Sequence, residues 1–341
     1  MEETNELREP EIDLKKTRKH FSRLGLWFFV GTIIINVSQV VLIPIRYFMP
    51  QWLTDANLSV ILLQMPMYLI GMPALIAIIH TIPAQAPQKH AMKAGHFILA
   101  VIMSCGIMYI FNLLGTAITS ILEMFKGGEV QDVLNSLLTG VSIPVVFVLT
   151  VICAPIMEEY VFRKLIVDRT IRYGEGVAVL MSGLMFGLFH GNLGQFVYAF
   201  ALGLFFAFIY AKTGKLKITI ALHMTVNFMG AVVGLIIQNM LDLEQLSAIA
   251  QSEGDIATLL AFYMENLGGM ILLFAYDMFV YGSIIVGGIL IVVALAKKRF
   301  WFAPAEVAIP RGKRFRTVIL NLGMLLYCIF WIAIIIIQIC S

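Results

Sequence analysis

Charge is what this sequence has least of. Asp, Glu, Lys and Arg make up 13% of its 341 residues, about half the share found in soluble domains. Apolar residues make up 60%, which excludes a water-soluble globule. Cysteine is scarce too: Cys105, Cys153, Cys328 and Cys340, with no CxxC pair. Three of the four stand in apolar runs, so they read as small buried hydrophobes and not as a disulfide or zinc framework. There is no HExxH motif, internal repeat or low-complexity tract. The basic residues sit in short loops beside apolar runs, which argues against nucleic acid as a partner. The first 23 residues are highly charged and the apolar run behind them is long enough to span a bilayer, so no cleavable signal peptide is expected.

What the sequence does have is nine apolar runs, at about 25–48, 58–82, 97–122, 142–165, 176–191, 193–211, 216–238, 268–296 and 318–339. Each is near the roughly 20 residues that a helix needs to cross the hydrocarbon core; the fifth is the shortest. The expected fold is all-α, a polytopic transmembrane helix bundle of about nine spans (eight to nine) in a lipid bilayer. A mixed-charge tail at 1–23 leads into N-terminal helices at 24–141. A central segment, 142–238, holds the polar residues discussed below, and an outside loop with further helices fills 239–341. With the N-terminus cytoplasmic, this parse puts 22 of the 24 Lys and Arg residues on the inside and leaves only Arg46 and Lys126 outside, as the positive-inside rule requires. The outside loop at 239–267 has no Lys or Arg, carries Asp242, Glu244, Glu253, Asp255 and Glu265, and reads as a short surface helix. Segment 123–140 is similar in kind.

Against this background, Glu158 and Glu159 stand out, because one acidic residue at the centre of a membrane helix costs roughly 2.5–3.5 kcal/mol on insertion scales. Glu159 and Arg163 lie at i and i+4, share a helix face and can pair. Glu158 points about 100° away and is left free for chemistry. Pro155, just upstream, removes a backbone donor and tends to kink the helix. Two histidines lie well inside apolar spans: His190, in Phe186-x-x-x-His190, and His223, in His223-x-x-x-Asn227. Glu158 and His190 are each 16 residues from the turn at Gly174, so a hairpin sets them at similar depth, with His223 shallower and all three facing a cavity open to the cytoplasm.

These residue types fit hydrolysis by an activated water. A carboxylate held away from bulk water is a stronger base and can take a proton from water, with His190 orienting it. His223 and Asn227, on one helix face, can donate to a developing oxyanion. Glu158, His190 and His223 could instead hold Zn²⁺ with one open position; the residues do not decide between the two. Each motif alone also has a packing use: a structural ion pair, a hydrogen-bonded core histidine, interhelical glue. Asp277, in the eighth run, reads as a helix cap near the outer face, and Phe186 as packing. Two readings from other classes are an ion-coupled transporter, whose inverted repeats and broken helices are not visible here, and a non-catalytic immunity protein that binds its target.

The ordered triple EExxxR, FxxxH and HxxxN resembles the CAAX prenyl protease and bacteriocin-processing family of intramembrane endopeptidases, with Glu158-Glu159-Tyr160-Val161-Phe162-Arg163, Phe186-Gly187-Leu188-Phe189-His190 and His223-Met224-Thr225-Val226-Asn227 at the motif positions. The resemblance covers roughly 142–238. It implies a glutamate-based peptidase with a cytoplasm-facing cavity, acting on a peptide or protein at the membrane: a prenylated protein, a bacteriocin or a signal-like peptide. It implies that Glu158 and His190 activate the water, that His223 and Asn227 form the oxyanion site, and that Glu159 and Arg163 support them. Members are often described as metalloproteases, but glutamate-activated water needs no cofactor, and the metal-free route is the one expected. A multi-pass protein of a bacterial plasma membrane is expected.

Overall fold

The computed structural model describes residues 13–131, 133–251 and 256–340. Residues 1–12 of the expected tail, and Glu253 and Asp255 of the acidic loop, lie outside them. All elements among the described residues are helical, as lipid demands of backbone that has no water to bond to. Eight helices are long and apolar enough to cross a membrane: α1 Leu14–Phe48, α2 Ala56–Ile79, α3 Ala94–Lys126, α4 Ile143–Tyr173, α6 Leu193–Thr213, α7 Leu216–Met240, α8 Leu267–Ala296 and α9 Leu322–Cys340. The remaining apolar run, the fifth, is α5, Glu175–Phe189, of 15 residues. At about 1.5 Å per residue it is roughly 22 Å long, short of the ~30 Å hydrocarbon thickness.

Polar cross-links mark two ends of the bundle. At one, Gln85 N donates to Asp168 O, His90 N to Thr213 O and Val307 N to Arg172 O, gathering the loops that carry most of the Lys and Arg. At the other, Ser142 N donates to Asn57 Oδ1 and Gln338 Nε2 to Gln131 O. The acidic loop at this second end forms two helices, Leu243–Gln251 and Ile256–Glu265, where one was expected.

The core joins α1, α2, α4, α5 and α9 through residues such as Phe28, Leu75, Phe162, Met185 and Tyr327. Tyr327 Oη ties α9 to α5 by donating to Met185 O at 2.7 Å. Helices α5 and α6 pack backbone to backbone: a Cβ on Gly203 would lie 2.9 Å from Gly183 Cα, so only glycine permits this approach. Helix α8 is mostly exposed at its surface. Asp277 lies in the middle of α8 and not at a terminus, so it is not a cap.

Candidate active site

Helix α4 is irregular where it carries the acidic pair. Two wide turns, Phe147–Cys153 and Glu159–Leu165, flank the regular segment Ala154–Glu158. Pro155 accounts for the first: it has no N–H, and its ring clashes with the carbonyl four residues earlier, so the helix widens there. Inserted wide turns of this kind are frequent at functional sites. They free a carbonyl, and Thr150 O in the first wide turn accepts from Asn227 Nδ2 of α7 at 2.8 Å.

The two glutamates face different surroundings. Glu159 is fully buried. Its Oε2 accepts from Arg163 Nε at 3.1 Å, and its Oε1 lies 3.0 Å from Arg163 Nη2, an ion contact that lacks good hydrogen-bond direction and leaves Nη2 without a hydrogen bond. Arg163 Nη1 donates to Ser182 Oγ at 3.2 Å, and Ser182 Oγ donates in turn to Phe162 O at 2.7 Å. The guanidinium sits over the Phe186 ring, 4.4 Å from its centre, a cation–π contact that offsets part of the desolvation. Glu158, one residue earlier, keeps 19% of its side chain exposed and lines a cavity of about 430 Å³.

Both histidines reach that cavity with a defined ring orientation. His190 Nδ1 lies 2.9 Å from Phe186 O. A carbonyl can only accept, so Nδ1 carries the proton and the neutral ring keeps its lone pair on Nε2. His190 directly follows the end of α5, and the next residue, Gly191, has φ of +67°, the left-handed helix stop that glycine favours. Asn192 then caps α6 by accepting from Gln195 N at 2.8 Å. The shortness of α5 is therefore what sets His190 at the depth of Glu158. His223 Nδ1 bonds Glu159 Oε1 at 3.0 Å, which turns Nε2 toward Glu158 Oε2, 3.7 Å away. That gap exceeds a direct hydrogen bond.

The structure thus brings all six sequence-derived residues into one contact network or cavity wall, with His223 level with the acidic pair and not shallower. Asn227 also lines the cavity; one of its two amide hydrogens is used on Thr150, leaving the other and Oδ1. Ser182 and Thr150, which orient Arg163 and Asn227, were not found from sequence; a lone hydroxyl in a helix is too common to signal a role. Phe186 does more than pack: its carbonyl fixes one histidine and its ring covers the arginine. The cavity touches Gln64 and Tyr68 of α2, Asn112 of α3 and Gln238 of α7, and lies in the half of the bundle away from the basic loops. Among the described residues, no three His, Cys, Asp or Glu side chains converge to hold a metal ion. A zinc ion would need Glu158, His190 and His223 to close to roughly 2.0–2.2 Å from one point.

Comparison with known proteins bears on the same segment. Residues 140–229 match the sequence model of the type II CAAX prenyl endopeptidase Rce1-like family. YdiL of Bacillus subtilis (strain 168), named provisionally as a membrane peptidase, is 32% identical over 90 residues, 25% of this chain and 36% of that protein. The chain therefore spans about a third of that relative. The membrane-embedded CAAX protease MroQ of Staphylococcus aureus (strain USA300) is 24% identical over 218 residues, 59% of this chain and 87% of that protein. No solved structure matches the chain significantly. The segment that holds Glu158, His190 and His223 is thus similar to Rce1-like CAAX endopeptidases, within a multi-pass helical membrane protein.

Proposed function

We propose that this protein is an intramembrane endopeptidase of a bacterial plasma membrane, with its N-terminus cytoplasmic, that hydrolyses peptide bonds of a membrane-associated peptide or protein. The observation that carries the reading is the asymmetry of the acidic pair: Glu159 is fully engaged with Arg163 and His223, while Glu158 faces a cavity also reached by His190 and His223.

In this reading a water lies between Glu158 and His190. The Glu158 carboxylate takes one proton from it, and His190 Nε2 accepts a hydrogen bond from the other. The hydroxide oxygen bonds to the peptide carbonyl carbon, and the C=O π pair moves onto oxygen. His223, held by Glu159, and the free N–H of Asn227 donate to that oxyanion. When the oxyanion collapses, the C–N bond breaks and Glu158 returns its proton to the leaving nitrogen. Arg163 and Glu159 act by holding His223 in place. No step runs through a metal.

The test is cleavage of a library of membrane-anchored peptides in proteoliposomes. Glu158→Ala and His190→Ala are expected to remove cleavage while the protein still inserts and purifies, and chelators are expected to leave the wild-type rate unchanged. Near-normal cleavage by both variants overturns the peptidase reading. Zinc present at one per chain, lost and restored together with activity, overturns the metal-free route.

A further inference from the structure

The cavity is not placed evenly along the bundle. It is lined by the halves of α2, α4 and α6 that lie toward Ala56, Ile143 and Leu193, and by α7 from His223 to Gln238, toward Met240. On the other side of Glu158, toward the basic loops, the bundle is solid. Phe162, Leu165, Ile166, Met181, Phe206 and Ala207 are each at most 1% exposed, and Arg163 and Glu159 are fully buried among them. A peptide cannot reach Glu158 through this layer without unpacking the core. At the other end Gln238 lines the cavity and is itself exposed. It also borders a shallow surface depression with Asn239, Met240, Leu241 and Asp242, which places this end of the cavity next to the surface.

Three side-chain amides mark the way from this mouth inward: Gln238 on α7, Gln64 on α2 and Asn112 on α3. Among the described residues none of the three makes a side-chain hydrogen bond. Gln195, by contrast, also lines the cavity, yet its amide is held by Asn192 and Tyr198. Unpaired amides at a cavity wall are free to bond a polar ligand that enters it. Each amide offers one acceptor and two donors, the complement of a peptide backbone, and carries no charge that would select a side chain.

Resting on the peptidase reading, we propose that the substrate is an extended peptide segment that enters at the Gln238 end, with Gln238, Gln64 and Asn112 as positioning residues that bond its backbone. With 22 of 24 Lys and Arg residues assigned to the opposite end or to the segments leading into it, the positive-inside rule makes this mouth extracytoplasmic. The substrate is then an exported peptide or the outer juxtamembrane segment of a membrane protein.

The experiment uses the full chain with Cys340→Ser, since Cys340 is exposed. Single cysteines are placed by Gln238→Cys or Lys89→Cys, and intact cells are treated with a bulky membrane-impermeant maleimide. Gln238→Cys is expected to label in intact cells and to lose at least tenfold in cleavage on labelling; Lys89→Cys is expected to label only after permeabilisation. Protection of Gln238→Cys in intact cells, or equal labelling of the two, overturns the outer mouth. Full cleavage after complete labelling at 238 overturns the entry route. In kinetics, Asn112→Leu and Gln64→Leu each raise KM about three- to tenfold with kcat nearly unchanged, and Asn112→Gln restores KM. A fall in kcat alone overturns the positioning role. Labelling needs no catalysis, so the two readings fail separately: activity in Glu158→Ala sinks the peptidase, whereas an inactive Glu158→Ala with an indifferent 238 adduct sinks only the route.

Discussion

The two halves of α4 have opposite surroundings. From Ile143 to Glu158 the helix turns Leu149, Thr150, Ala154 and Glu158 to the cavity. From Glu159 onward it enters the core, where Glu159, Phe162, Arg163 and Leu165 are at most 1% exposed. The boundary falls between two adjacent residues of the same type. One step of about 100° around the helix separates a carboxylate fixed by an arginine and a histidine from one open to a ligand. Chemical identity alone therefore does not assign a role; the neighbours do, through the charge and hydrogen bonds they supply.

The sharpest way to break the closed half is Glu159→Leu. It leaves Arg163 buried without its counter-charge, and loss of one partner of a buried pair costs about 3–5 kcal/mol. A denaturant or SDS titration of the purified protein should show that loss, and unchanged stability would mean that Arg163 finds another partner. Asn227→Leu is expected to cost less, about 1–3 kcal/mol, because it strands the neutral Thr150 carbonyl. The same variant should also lower turnover, since the remaining amide hydrogen faces the cavity. The smallest effect belongs to Tyr327→Phe, which removes only the bond to Met185 O and is worth about 0.5–1.5 kcal/mol. Because Tyr327 lies behind α5 and not in the cavity, its cleavage rate per folded molecule should not change.

Much of this was legible in the sequence because polar groups are conspicuous in apolar spans. The helical fold follows from the nine runs, and Glu158, Glu159, Arg163, His190, His223 and Asn227 are the residues that an apolar background makes visible. What could not be read depends on tertiary approach. The bond from His223 to Glu159 joins positions 64 apart, and nothing local foretells it. The depth of His190 depends on α5 ending after 15 residues, which an apolar count running on to 191 overlooks. Ser182 and Thr150 gain their parts only from a facing helix. The resemblance implies a cavity open to the cytoplasm, whereas the open half of the bundle is the one without basic loops. The amides of Gln64, Asn112 and Gln238 were available as a signal, being uncharged polar residues within three different spans, but only the cavity groups them.

The most direct test of the contrast between the acidic neighbours is Glu158→Gln, measured for cleavage and for unfolding in the same preparation. This change removes the base and keeps the shape. Cleavage should fall about 10²–10⁴-fold, the typical contribution of a positioned general base, while the unfolding midpoint stays at the wild-type value. A variant that cleaves at the wild-type rate, or one that loses activity only because it unfolds, would contradict the assignment of Glu158 as the catalytic base.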